Sequence, residues 1–156
     1  MKIVLVKPEI PQNTGSIGRT CVALNLELIL IKPYGFSLKD KVVSRSGTRY
    51  WKDVNLSEYH DWEIFLQCRK PKRNQLYFFE ENRGDNFYLP TYEPDCFLVF
   101  GCESTGLPLH ILKEMEDRTF HIPMRNSAVK SLNLANAATA AIYQALKANF
   151  ISSAQV

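Results

Sequence analysis

Five short apolar runs recur along the chain, at residues 3–6, 28–31, 75–79, 96–100 and 120–123. Each is too short for a helix and lacks polar alternation, which predicts strands buried on both faces. Between them the period changes. Residues 17–26 predict a first helix, entered through the turn-forming Asn13, Thr14, Gly15 and Ser16, with Arg19 in its first turns. Residues 56–68 place Tyr59, Trp62, Phe65 and Leu66 at helical spacing, and residues 107–115 predict a short helix begun around Pro108. After Pro123, a polar loop at 125–130 leads to Ser131, Leu132 and Asn133, which open an alanine-crowded helix reaching Lys147. Ser131 and Asn133 are both suited to capping that helix. Residues 39–53 are polar and basic, and residues 85–95 have no clear period.

Buried strands alternating with helices predict an α/β fold, a parallel sheet with helices on both faces. Ligands of such sheets bind beyond the carboxyl ends of the strands. Three loops qualify: the one after Phe79, the one starting at Gly101 and the one after Pro123. The last leads into a helix N-terminus, where free amides and the helix dipole favour an anion or an electron-rich ligand.

The 156 residues suit a single domain, 1–156, and no internal repeat or linker divides it. With 46% hydrophobic and 22% charged residues, the chain is globular. A net charge of +3 permits a nucleic-acid partner without requiring one. The four cysteines form no C-x-x-C pair and none lies at zinc spacing from a histidine, so neither a metal nor a disulfide framework is expected. The amino-terminal apolar run is too short for a signal peptide or a membrane span, so a cytoplasmic protein with no membrane partner is expected.

Gly101 and Gly106 have the spacing of a phosphate-binding loop, but Leu107 and Pro108 follow where a P-loop needs lysine and a hydroxyl. No G-x-G-x-x-G follows a strand, and the three histidines share no motif with a serine, which argues against dinucleotide and serine-hydrolase sites. Glu103, in the Gly101 loop, suits either orienting a ligand or holding the loop. Arg19, near a helix N-terminus, runs against the dipole, a hint of a role beyond solvation. The basic residues 69–73 read as a solvated loop or, with Arg45, Arg49 and Lys52, as a phosphate-contacting face.

Three stretches together resemble the SPOUT superfamily of RNA methyltransferases: PEIPQNTGSIGRT (8–20), LVFGCESTGLP (98–108) and HIPMRNSAVKSLNLANAATAAIY (121–143). They match its three motifs in order and at suitable spacing. The compact length and the PEIPQNTG opening most resemble the tRNA 2′-O-methyltransferases that modify the wobble cytidine or uridine. The resemblance implies a C-terminal deep trefoil knot, S-adenosyl-L-methionine as cofactor, no metal, and a homodimer acting on the tRNA anticodon region. It implies that Gly101 and Ile122 hold the cofactor through their backbones, that Ser131 and Leu132 close the pocket, and that the strand end at Phe79 forms the remaining wall. It assigns Glu103, Ser131 and Asn133 to cofactor or substrate positioning, and Arg19 to the ribose hydroxyl. Glu103, Asn133 and Arg19 are thus the expected catalytic set. Gly18 departs from the pattern, because an apolar residue is common there, and the 125–130 loop has its own sequence. Action on a ribose or base of another RNA, and a non-catalytic RNA-binding module, are the alternatives.

Overall fold

The computed structural model describes residues 1–38 and 50–153. The basic residues Lys39, Lys41, Arg45 and Arg49 lie outside the described residues.

The strands are β1 (Lys2–Val6), β2 (Glu27–Ile31), β3 (Asn55–Tyr59), β4 (Leu76–Phe79), β5 (Asp85–Asn86), β6 (Phe97–Phe100) and β7 (Thr119–His121). They form one seven-stranded sheet in the order β3-β2-β1-β6-β4-β7-β5, and every pairing is parallel. At its centre Ile3 lies between Leu28 and Leu98. Alternate residues of each central strand enter opposite cores. Ile3, Leu5, Leu28, Leu30, Tyr77, Phe79, Leu98 and Phe100 pack with Ile17 and Cys21 of α1 (Pro11–Ala23) and with Ala138, Ala141 and Ile142 of α4 (Leu134–Ser153). Val4, Val6, Ile29, Ile31, Phe78 and Val99 pack with Trp62 and Phe65 of α2 (Trp62–Arg69) and with Ile111 and Leu112 of α3 (Leu109–Glu114). Both faces are covered, which is why the strands read as unbroken apolar runs.

Several boundaries differ from the sequence reading; the last helix, for one, runs past Lys147 to Ser153. Residues 56–68 divide into β3 and α2. β3 is an edge strand with polar Ser57 and Glu58, so it lacks the apolar run that marks the inner strands, and Asp61 accepts the Ile64 amide at 2.8 Å to start α2. β5, only two residues long, gave no period to read. Helix α1 begins at Pro11, six residues early, because proline fits the first helical position and its missing N–H costs nothing there. Asn13, Thr14 and Gly15 are therefore inside the helix, and Arg19 lies in its third turn, where the expected dipole conflict does not apply.

The basic tract is also reassigned. Arg69 binds Glu27 and Tyr59 and donates to Ser57 at 3.0 Å, while Arg73 binds Asp117 and the Glu114 carbonyl. Both arginines therefore tie elements of the fold together, Arg69 joining α2 to β2 and β3 and Arg73 joining the start of β4 to the segment before β7.

Candidate active site

At the carboxyl ends of β4, β6 and β7 lies a cavity of about 900 Å³. The order of the strands puts it at the switch point, where the chain after β1 turns one way along the sheet and the chain after β6 the other. All three loops singled out from the sequence line it: 80–83, 101–107 and 130–133. Phe79, Gly101, Ile122, Ser131 and Leu132 are all on its wall, as are Glu103 and Asn133. Arg19 is not. It is exposed on α1, its guanidinium 5.4 Å from the centre of the Tyr50 ring.

The loop from Gly101 is closed on itself by paired backbone bonds between Cys102 and Gly106, at 3.2 and 3.0 Å. A Cβ on Gly101 would overlap the backbone of Gly106 and Leu107, so only glycine permits this fold of the chain. Three carboxylates tie the loop to its surroundings, Glu103 from within it and Glu9 and Glu80 from outside. Glu103 accepts from the Glu9 amide (2.8 Å), the Ile10 amide (3.2 Å) and Asn13 Nδ2 (2.9 Å). It thereby caps α1, whose own N-cap, Ile10, supplies no side-chain acceptor, and it places negative charge at the positive end of the helix dipole. In return the Glu9 carboxylate accepts from Ser104 N and Oγ at 2.9 and 2.8 Å. On the other side Glu80, straight after β4, accepts from Leu107 N (2.8 Å) and Glu81 N (3.0 Å).

Asn133 settles the choice between two caps for α4. Its Oδ1 accepts from the amides of Ala135 (2.9 Å) and Asn136 (3.3 Å), and its Nδ2 donates to Asn13 Oδ1 at 2.9 Å. One polar chain, Glu103–Asn13–Asn133, thus ties the three sequence motifs together beside the cavity. Ser131 and the half-exposed Leu132 precede this cap at the cavity mouth. Lys130 reaches across to Glu81 at 3.8 Å.

Sequence reasoning passed over Asn13, Glu80 and Glu9. Asn13 reads as a turn residue, yet it is buried inside α1. Glu80 carried the signal that singled out Glu103, a carboxylate directly beyond an apolar strand. Among the described residues no group of three or more His, Cys, Asp or Glu is arranged to hold a metal ion, and no helix is long and apolar enough to cross a membrane.

The fold is that of solved SpoU methyltransferases. The sequence model of the SpoU rRNA Methylase family matches residues 1–143, and the chain belongs to that family. A Geobacillus stearothermophilus protein, provisionally named tRNA (cytidine(34)-2′-O)-methyltransferase, is 41% identical over 152 residues, covering 94% of each chain. A structure solved in work on 2-OH methylation of C/U34 on tRNA superposes with a TM-score of 0.86 at 35% identity, covering 96% of this chain and 95% of the other. The SpoU methyltransferase AviRb of Streptomyces viridochromogenes, in complex with AdoMet, gives a TM-score of 0.84 at 26% identity, covering 96% of this chain and 60% of that one.

Proposed function

We propose that the chain methylates the 2′-hydroxyl of the wobble cytidine or uridine of tRNA, in the anticodon region, with S-adenosylmethionine as the methyl donor. The observation that carries this reading is the cavity formed by the three motif loops at the carboxyl ends of β4, β6 and β7. The cavity suits the cofactor. Its volume is that of a small-molecule site, Phe79, Phe100, Ile122 and Leu132 offer apolar faces for an adenine, and backbone of the Gly101 loop, Ser131 and Asn133 offer polar atoms. The cofactor supplies a methyl group on a sulfonium, already strongly electrophilic.

The chain's residues then have two tasks, alignment and charge stabilisation. Gly101 and Ile122 hold the cofactor by backbone contacts, Phe79 walls it, and Ser131 and Leu132 close over it. Glu103 and Asn133 are positioning residues, since their oxygens are engaged in capping α1 and α4. Arg19 stabilises the negative charge growing on the ribose oxygen, whose proton passes to solvent, because a guanidinium is too weak an acid to serve readily as a base. A homodimer fits this division. α4 exposes Tyr143, Phe150 and Ile151, and Arg19 does not line its own cavity, so a second copy on the α1–α4 side would bring its Arg19 toward the site. The deep trefoil knot and a cytoplasmic location belong to the same reading.

The test is transfer of labelled methyl from S-adenosylmethionine to unmodified bulk tRNA, with the labelled nucleotide mapped. Label at the ribose of nucleotide 34 is expected. Label on a base, or only at the ribose of another nucleotide, would overturn the substrate assignment.

A further inference from the structure

We infer that Tyr50 is the positioning residue for Arg19, presenting its ring face to the guanidinium so that all the guanidinium N–H donors remain for the RNA. The inference rests on the role proposed above for Arg19.

An arginine on an exposed helix surface has four side-chain torsions to lose before it can act at one atom. Proteins usually restrain such a group with a carboxylate. Among the described residues no carboxylate pairs with Arg19. The guanidinium instead lies over the Tyr50 ring, 5.4 Å from its centre, within the range of cation–π attraction. The chemical difference matters. A carboxylate would occupy two N–H groups and cancel the charge, whereas a ring face holds the plane of the guanidinium and leaves both donors and charge in place.

Tyr50 is itself held where this requires. Its carbonyl accepts the Asp53 amide at 2.9 Å, starting the 3-10 turn Trp51–Asp53 that leads into the edge strand β3. The next residue, Trp51, packs its indole against α1 at Gly18, directly before Arg19. A Cβ on Gly18 would stand 2.7 Å from Trp51 Cζ3 and 3.4 Å from Val54 Cγ2. The departure of Gly18 from the family pattern therefore has a physical counterpart. The bare helix surface admits Trp51, and Trp51 brings Tyr50 under the neighbouring arginine.

The experiment measures kcat on unmodified tRNA at saturating cofactor and RNA for the full chain and for Tyr50→Ala, Tyr50→Phe and Arg19→Ala, together with the Kd for S-adenosylmethionine and the melting temperature. Tyr50→Ala should lower kcat about tenfold, as expected for a misplaced catalytic group, with Kd and melting temperature unchanged. Tyr50→Phe, which keeps the ring, should restore turnover. Unchanged kcat in Tyr50→Ala, alongside an inactive Arg19→Ala, overturns the inference and leaves the reading of Arg19 intact. So does a Tyr50→Phe variant as slow as Tyr50→Ala, or a loss of kcat that follows weakened cofactor binding or a lowered melting temperature. Full turnover in Arg19→Ala overturns the role of Arg19 and this inference with it, and no transfer by the unaltered chain overturns both.

Discussion

Asn13 and Asn133, 120 residues apart, share a side-chain hydrogen bond of 2.9 Å. The same Asn13 amide donates to Glu103 at 2.9 Å. Asn13 needs both its donor and its acceptor, and it is nearly sealed from water. Asn13→Asp keeps the shape and the acceptor, but it removes the donor and sets a second carboxylate against Glu103. The loss should be about 1–3 kcal/mol of stability, read as a lower urea midpoint. Because the chain joins two of the cavity loops, 101–107 and 130–133, through α1, the Kd for S-adenosylmethionine should rise as well. A variant with an unaltered urea midpoint would show that Asn13 does not hold the loops together.

Glu80 faces two amide donors and touches a third group. Were Gly106, whose φ is +70, given a Cβ, it would lie 2.5 Å from the Glu80 carboxylate oxygens. Glu80→Gln cannot satisfy both Leu107 N–H and Glu81 N–H, because whichever way the amide is turned its NH2 meets a donor. Cofactor affinity should fall roughly tenfold, about 1.4 kcal/mol, with the KM for tRNA unchanged. Titration of the variant with S-adenosylmethionine decides this, and full affinity would assign Glu80 no part in shaping the cavity.

Gly18 and Trp51 should be energetically coupled. Gly18→Ala forces a methyl against the indole and should cost about 1–3 kcal/mol. In a Trp51→Leu background the indole is gone, the same change meets Val54 at ordinary contact distance and should cost little, since the helix itself favours alanine. Urea melts of the two single variants and the double variant measure this coupling; strict additivity would mean that Trp51 does not rest on Gly18 in solution.

Legibility followed burial. The inner strands β1, β2, β4 and β6, and β7 beside them, were readable because helices cover both faces and force apolar runs. β3 was not, because an edge strand needs only one good face, and the spacing of Leu56, Tyr59, Trp62 and Phe65 fits a helix as well as a strand followed by one. The three cavity loops were readable from strand ends and motif order. The bonds that tie them, from Glu103 to the α1 amides and from Asn13 to Asn133, span 90 residues or more and leave no trace in local spacing. The start of α1 at Pro11 was hidden by Asn13, Thr14 and Gly15, which favour turns when nothing else holds them. Here Glu103 supplies the cap from a distant loop.

Two thiols should make the fold sensitive to alkali. Burial pushes Cys21 up to about 12 and, as the main influence, Cys96 up to about 11. In the unfolded chain each ionises near ~8.5. Above that pH the unfolded state has released protons that the folded state retains, so stability falls as pH rises, and it is fully present only below the unfolded pKa. Each thiol should contribute a slope approaching about 1.4 kcal/mol per pH unit between the two values. Lysines and tyrosines titrate in the same range, so the informative quantity is the difference from Cys21→Ala. Urea unfolding at pH 8 and pH 10 should show the unaltered chain losing more stability over that interval than the variant. Equal losses would mean that the Cys21 thiolate is tolerated in the fold, and that the core formed by α1, α4 and the sheet admits water. Thiol titration with a disulfide reagent at pH 8 is an independent check: exposed Cys68 should react at once, and buried Cys21 and Cys96 only as the chain unfolds.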